Sequence, residues 1–389
     1  MGTNKSPDLI VAEPSSGDFG EDLKITFGDF NREYEYTLKG AEIEDDTDES
    51  YADACKSQRE SIINYLINER IILKKAREMG VISLTEEEMK AAEEEYNSQI
   101  EEQIEYFGGK ADYGTRDAAT ITDEEKRERG IKEFDDYLED CGMTRDDLLT
   151  WSVNSAITNK LKDEVGKSVD YSAAEESYRE YEDRIKQLYT DNVAEYEQGN
   201  FTQVWVPEGS RMIKHILLGF DDDTLIGIET KRSSGDDAGA DNLRAEKAAE
   251  LQPKVDEVQQ KLDSGEDIKT LIMEYSNDAA SSSMYPDGYV LVPDGVIFME
   301  EFQKAAFEMA KIGDRTVCVT DYGVHIMIYA DDAKVDPDNV KAFTDYLYEQ
   351  MVKTEFSKKM EEWRAEYDYR IDYEALRLDT PDESSGSKS

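Results

Sequence analysis

Only two histidines occur in 389 residues, and each lies inside a run that reads as a strand. One run is Arg211-Met212-Ile213-Lys214-His215-Ile216-Leu217-Leu218; the other is Thr320-Asp321-Tyr322-Gly323-Val324-His325-Ile326-Met327-Ile328-Tyr329. Both are rich in β-branched and long apolar residues. Side chains alternate across a strand, so Ile213, His215 and Leu217 share one face of the first run. His325, Met327 and Tyr329 share one face of the second. Each histidine therefore keeps apolar company, as a satisfied core group or as part of a site. Between the runs the sequence alternates helical stretches with turns, which makes the class of the whole chain α+β.

The order of short motifs in this stretch is specific. After Lys214-His215-Ile216-Leu217 comes a helix ending in Ser264-Gly265-Glu266-Asp267-Ile268, then Tyr275-Ser276-Asn277-Asp278 and Asp287-Gly288-Tyr289. The helix Phe302-Gln303-Lys304-Ala305-Ala306-Phe307, Gly313 and the turn-and-strand Thr320 to His325 complete it. In this order the motifs resemble the parvulin-type peptidyl-prolyl isomerases. The resemblance implies a small antiparallel sheet with surrounding helices over residues 206–333. It also implies a catalytic set of His215, Asp278, Thr320 and His325, and a proline-ring seat of Phe298, Met299 and Phe302, with Tyr322 lining the site. The family pattern needs no metal and no cofactor. Three departures bear on substrate preference: Phe298 stands for a common methionine, Tyr285-Pro286-Asp287-Gly288-Tyr289 for Gly-Gly-Asp-Leu-Gly, and Tyr322 for a small residue.

The remaining sequence is mostly helical. Ile62, Ile63, Leu66, Ile67, Ile71, Leu73 and Ala76 form one stripe that stops at Gly80. Thr85 with Glu88, and Ser172 with Glu175, are capping-box spacings. Leu66-Ile67-Asn68-Glu69-Arg70, Ala76-Arg77-Glu78-Met79-Gly80 and Gly142-Met143-Thr144-Arg145-Asp146-Asp147-Leu148-Leu149 resemble the N-terminal helical part of extracytoplasmic foldases of the PrsA/SurA type. In such foldases the chain after the isomerase packs back on the N-terminal helices. The expected organisation has a flexible leader, a possible hairpin from Leu23 to Leu38 and an acidic linker in 1–53. An N-terminal helical chaperone region in 54–205 and the isomerase domain in 206–333 follow. A C-terminal helix in 334–375 and a disordered tail in 376–389 end the chain. Residues 107–124 read as a glycine-containing loop. Residues 219–242 read as an acidic, solvated insertion, because Asp221-Asp222-Asp223 lacks the glycine and glutamate spacing of a calcium loop. Pro253 should kink or start its helix.

A net charge of −46 and the absence of any basic stripe exclude nucleic acid as a partner. No apolar run approaches the length of a membrane span. Three cysteines make no disulfide framework; Cys318 reads as a buried apolar residue, and Cys55 and Cys141 can pair or stay free. The polar leader to Gly20 fits a cytosolic chain or a processed secreted one. The foldase resemblance favours the second. It implies an extracytoplasmic lipoprotein on the membrane of a Gram-positive bacterium, with Met1 in place of a lipidated cysteine, and a possible homodimer. The partners it implies are unfolded secreted polypeptides containing X–Pro bonds. The implied activity is rotation about those bonds without a covalent intermediate. The alternative is a holdase carrying a weak or inert isomerase domain.

Overall fold

The computed structural model describes residues 5–15, 20–43, 46–110, 122–285 and 287–378. The chain divides into two compact units, 1–170 with 349–389, and 171–348. The first begins with β1 (Ile10–Pro14), β2 (Ile25–Thr26), α1 (Phe27–Gly40), α2 (Ala52–Glu78), α3 (Glu86–Lys110), α4 (Asp123–Asp140) and α5 (Arg145–Gly166). The second opens with α6 (Tyr171–Asp191), α7 (Val193–Gln198), β3 (Arg211–Gly219), α8 (Asp222–Ser233), α9 (Asp237–Asp263) and α10 (Ile268–Tyr275). It continues through α11 (Ala279–Ser283), β4 (Tyr289–Leu291), α12 (Glu300–Glu308), β5 (Arg315–Thr320) and β6 (Gly323–Asp332). The cut falls within α13 (Pro337–Tyr367), and β7 (Tyr369–Ile371) belongs to the first unit. Among the described residues no helix is long and apolar enough to cross a membrane.

In the first unit a three-stranded sheet, ordered β2-β1-β7, joins the two ends of the chain. Its core gathers Phe30, Tyr34, Ile63, Ile67 and Ile71 from α1 and α2 with Tyr367 and Leu376 from the far end of the sequence. Several expectations are corrected here. The segment 23–38 is not a hairpin. Thr26 caps α1 through a capping box with Asp29, and Phe27, Phe30, Tyr34 and Leu38 are buried at helical spacing. The leader contributes β1, whose Val11 and Ala12 are buried. The acidic linker is not simply solvated, because Asp46 accepts hydrogen bonds from Arg59 at 2.9 Å and Arg377 at 3.0 Å. The Thr85–Glu88 capping box is present ahead of α3, whereas α6 starts at Tyr171, before Ser172. Gly108 and Gly109 lie inside α3; residues 111–121 of the expected loop, and the tail from 379, lie outside the described residues. Cys55 and Cys141 are free and buried in different apolar clusters.

The second unit is built on an antiparallel sheet ordered β4-β3-β6-β5. One face, through Ile216, Leu218, Val324 and Ile326, packs on Val255, Val258, Leu271 and Ile272 of α9 and α10. The other, through Ile213, Cys318, Met327 and Tyr329, packs on Phe302 and Ala306 of α12. The insertion 219–242 is not a loop either. Asp221 caps α8 by accepting from the Thr224 N–H, and Ile228 and Ala240 close an apolar cluster with Phe220. The aspartates that suggested a solvated run are there to start a helix. Pro253 does not start a helix; it lies inside α9. Helices α6 and α7 also belong to this unit: Ile185, Tyr196 and Val292 share one cluster.

Candidate functional site

Strand register decides where the histidines meet. On the β3–β6 pair Leu217 lies opposite His325, and His215 opposite Met327, so the two histidines are diagonal neighbours on one face. Their ring centroids are 5.2 Å apart. Phe302 reaches both rings from α12, edge-on at 5.1 Å in each case. Phe298 stacks on Phe302 at 5.4 Å, and Met299 is half-buried in the same cluster at the start of α12. Arg211 fixes the other end of that helix by donating to the carbonyls of Ala306 and Met309, each at 2.7 Å.

Asp278 arrives by a different route. Ser276 Oγ accepts the N–H of Leu217, and Asn277 Oδ1 that of Gly219, so the Ser276-Asn277 step is stitched to the edge of β3. Asp278 then caps α11 with Oδ1, accepting from Ala280 at 3.0 Å. Its Oδ2 lies 3.2 Å from His215 Nε2 and accepts the Tyr289 hydroxyl at 2.7 Å. The His215 contact is close, but its ring N–H is not aimed at the carboxylate, so it is an electrostatic contact more than a formed hydrogen bond. His215, and after it the Tyr289 hydroxyl, holds the Asp278 carboxyl well below the usual range.

His325 Nε2 lies 2.8 Å from Thr320 Oγ1, which also accepts the N–H of Tyr322 at 3.2 Å. Burial, with His215 adding to it, pushes the His325 pKa down to about 3, so this imidazole is neutral at ordinary pH. Cys318 sits opposite His325 on β5, yet its thiol lies 3.5 Å from Met327 Sδ and burial pushes its pKa up to about 12. It has no nucleophilic character. Among the described residues no group of three or more His, Cys, Asp or Glu is placed to hold a metal ion.

Of the residues expected at the site, His215, Asp278, Thr320, His325, Phe298, Met299 and Phe302 come together. Tyr322 does not join the ring cluster. Its side chain is 57 % exposed, and it meets the site through its backbone N–H. Sequence reading missed Tyr289, which stacks on His215 at 5.4 Å and meets Phe298 edge-on at 5.5 Å. Gly288 makes this possible. It adopts φ +113°, and a Cβ there would stand 2.9 Å from the Ile213 carbonyl.

The profile of the PPIC-type PPIASE domain matches residues 200–333. This stretch is a PPIC-type peptidyl-prolyl isomerase domain. Across the chain, the foldase protein PrsA of Geobacillus kaustophilus (strain HTA426) is 27 % identical over 228 residues, 51 % of this chain and 75 % of the relative. Among solved structures, PrsA from Bacillus subtilis is 18 % identical, with 93 % of each chain covered and a TM-score of 0.24. Foldase protein PrsA from Streptococcus pneumoniae is 11 % identical, covering 94 % of this chain and 97 % of that one, with a TM-score of 0.25. Scores at that level do not bear on the fold. The histidine pair, Asp278 and the aromatic seat all lie inside the isomerase domain.

Proposed function

We propose that this chain is an extracytoplasmic foldase. Its isomerase domain rotates X–Pro bonds of unfolded polypeptides, and its helical unit holds the same clients. The observation that carries the proposal is the meeting of an ionised carboxylate with an apolar ring seat around one histidine pair. Rotation is slow because the amide is partly double-bonded, with a barrier of ~18–20 kcal/mol. That resonance places negative charge on the carbonyl oxygen and is lost in the twisted form. A proline ring seated on Phe298, Met299 and Phe302 would bring the carbonyl of the residue before it, the oxygen of the X–Pro amide, beside Asp278. A fixed negative charge there disfavours the planar amide more than the twisted one. His325, neutral and bonded to Thr320, holds the floor of the site without competing for that charge. No covalent step is needed.

The test is the cis-to-trans rate of a panel of X–Pro tetrapeptides. Wild-type protein should accelerate it, and Asp278→Asn should lose about tenfold or more of kcat/KM with an unchanged circular dichroism spectrum. No acceleration for any X would end the isomerase reading.

A second reading, a holdase with a weak isomerase, has its own support. Phe302 is only 3 % exposed and Tyr289 lies flat on His215, so of the seat only Phe298 and Met299 are half open in this conformation. Aggregation of a denatured client separates the two. If Asp278→Asn suppresses aggregation as well as wild type does, holding is independent of rotation.

For location, we infer an outward-facing lipoprotein of a Gram-positive membrane. The support is the likeness to PrsA foldases. Palmitate labelling of the native protein in its host tests it, and an unlabelled protein in the cytosolic fraction would overturn it.

A further inference from the structure

The loop that delivers Phe298 and Met299 is Val292-Pro293-Asp294-Gly295-Val296-Ile297. The side chains of Val296 and Ile297 are 58 % and 52 % exposed, so no apolar anchor ties down the half of the loop nearest the seat. Polar contacts do. Glu197 Oε2, at the end of α7, accepts two consecutive backbone N–H groups, from Val296 at 2.7 Å and Ile297 at 3.2 Å. Tyr189 of α6 donates its hydroxyl to the Pro293 carbonyl at 2.5 Å. From the opposite side Gln303, next to Phe302, donates to the Val292 carbonyl at 2.6 Å. Val292 itself is buried against Ile185 and Tyr196. The glycine at 295 belongs to the same device, because a Cβ there would stand 2.4 Å from Glu197 Oε1.

We propose that Glu197 is a positioning residue of the isomerase site: its carboxylate brackets the 292–297 loop and so sets where Phe298 and Met299 offer the proline seat. Glu197 and Tyr189 both precede residue 200, where the match to the isomerase profile begins. The site is thus completed by helices outside the segment that defines the domain. Two charge-assisted bonds to adjacent amides fix both the height and the tilt of the loop. Seat geometry matters because a misplacement of about 1 Å can cost on the order of a hundredfold in rate.

The proposal rests on the isomerase reading, so its test has two readouts in the full chain. One is kcat and KM on X–Pro peptides; the other is amide hydrogen exchange at Val296 and Ile297. Glu197→Ala should lose exchange protection at both amides and drop kcat/KM about tenfold, mainly through KM. Glu197→Gln, which keeps a carbonyl acceptor, should recover most of the protection. Gly295→Ala should displace the carboxylate and cost at least as much as Glu197→Ala, because its Cβ would also stand 3.0 Å from Gln303 Nε2 and from the Val292 carbonyl. The double variant should be no worse than Gly295→Ala alone, since the alanine has already removed the Glu197 bracket. Protection lost without a change in kcat/KM overturns the proposal, as do additive losses or amides unprotected in the wild type. A wild-type chain inactive on every peptide sinks the isomerase reading instead, and exchange at the two amides still decides whether the bracket exists.

Discussion

His215 and His325 face each other diagonally across β3 and β6, but only the first lies against a carboxylate. The second is buried without such a partner. His325 has a folded pKa of about 3 against an ordinary 6.5. Between those values the unfolded chain binds a proton that the folded chain refuses, so stability falls as pH drops from about 6.5 towards 3. The many surface carboxylates titrate too, so the useful quantity is a difference. Wild type minus His325→Gln, followed by urea unfolding from pH 7.5 to 4.5, should lose close to one proton's slope per pH unit. Parallel curves would mean that His325 is not held neutral.

Glu33 should act in the opposite sense. It sits on α1, near Glu69 of α2, and accepts the indole N–H of Trp151 on α5 at 3.0 Å. Burial, with Glu69 and Asp147 adding to it, raises its pKa to about 7 from 4.5. A raised carboxyl stabilises fully below its unfolded value and loses that contribution as pH rises through 7. Glu33→Gln should therefore be neutral near pH 5 and stabilise the first unit at pH 8 by about 1 kcal/mol, after discounting for partial exposure. Destabilisation at both pH values would refute this.

The Tyr289 hydroxyl can be removed without removing its ring. Tyr289→Phe should keep the stack on His215 and cut kcat about three- to tenfold, less than Asp278→Asn. Equal effects of the two variants would assign the whole role of Asp278 to that one hydrogen bond.

Phe302→Ala is a poor probe of the seat, because truncating a buried phenylalanine costs about 3–5 kcal/mol of stability. Phe298 is half-buried and is the cleaner choice. Phe298→Ala should raise KM for proline peptides about tenfold with little loss of thermal stability. A raised KM for peptides of every sequence, with or without proline, would place Phe298 in general peptide binding and not in the seat.

The parts of this molecule that follow a local period were readable from the sequence. Alternation placed His215 and His325 on strands, and helical spacing placed Phe302 on α12. Tyr289 was visible only as a departure from a motif, because its role depends on β4 pairing with β3, which no local pattern states. Glu197 acts on amides about a hundred residues away, so nothing near it in the sequence announces the contact. Two of the misread segments failed for a different reason. In 23–38 a short alternating run masked the 3–4 spacing of Phe27, Phe30, Tyr34 and Leu38. In 219–242 a run of aspartates looked like solvated loop, although the first of them caps a helix.

The division of the chain also has a consequence for its synthesis. The isomerase-bearing unit is one continuous segment, 171–348, and all of its core is available once that segment has emerged. The other unit waits. Val11, Ile25 and Ile67 appear early, but their partners Tyr367, Ala375 and Leu376 appear last. A chain made or exported from its N-terminus must therefore carry α1 and α2 with an open apolar face until the final segment arrives.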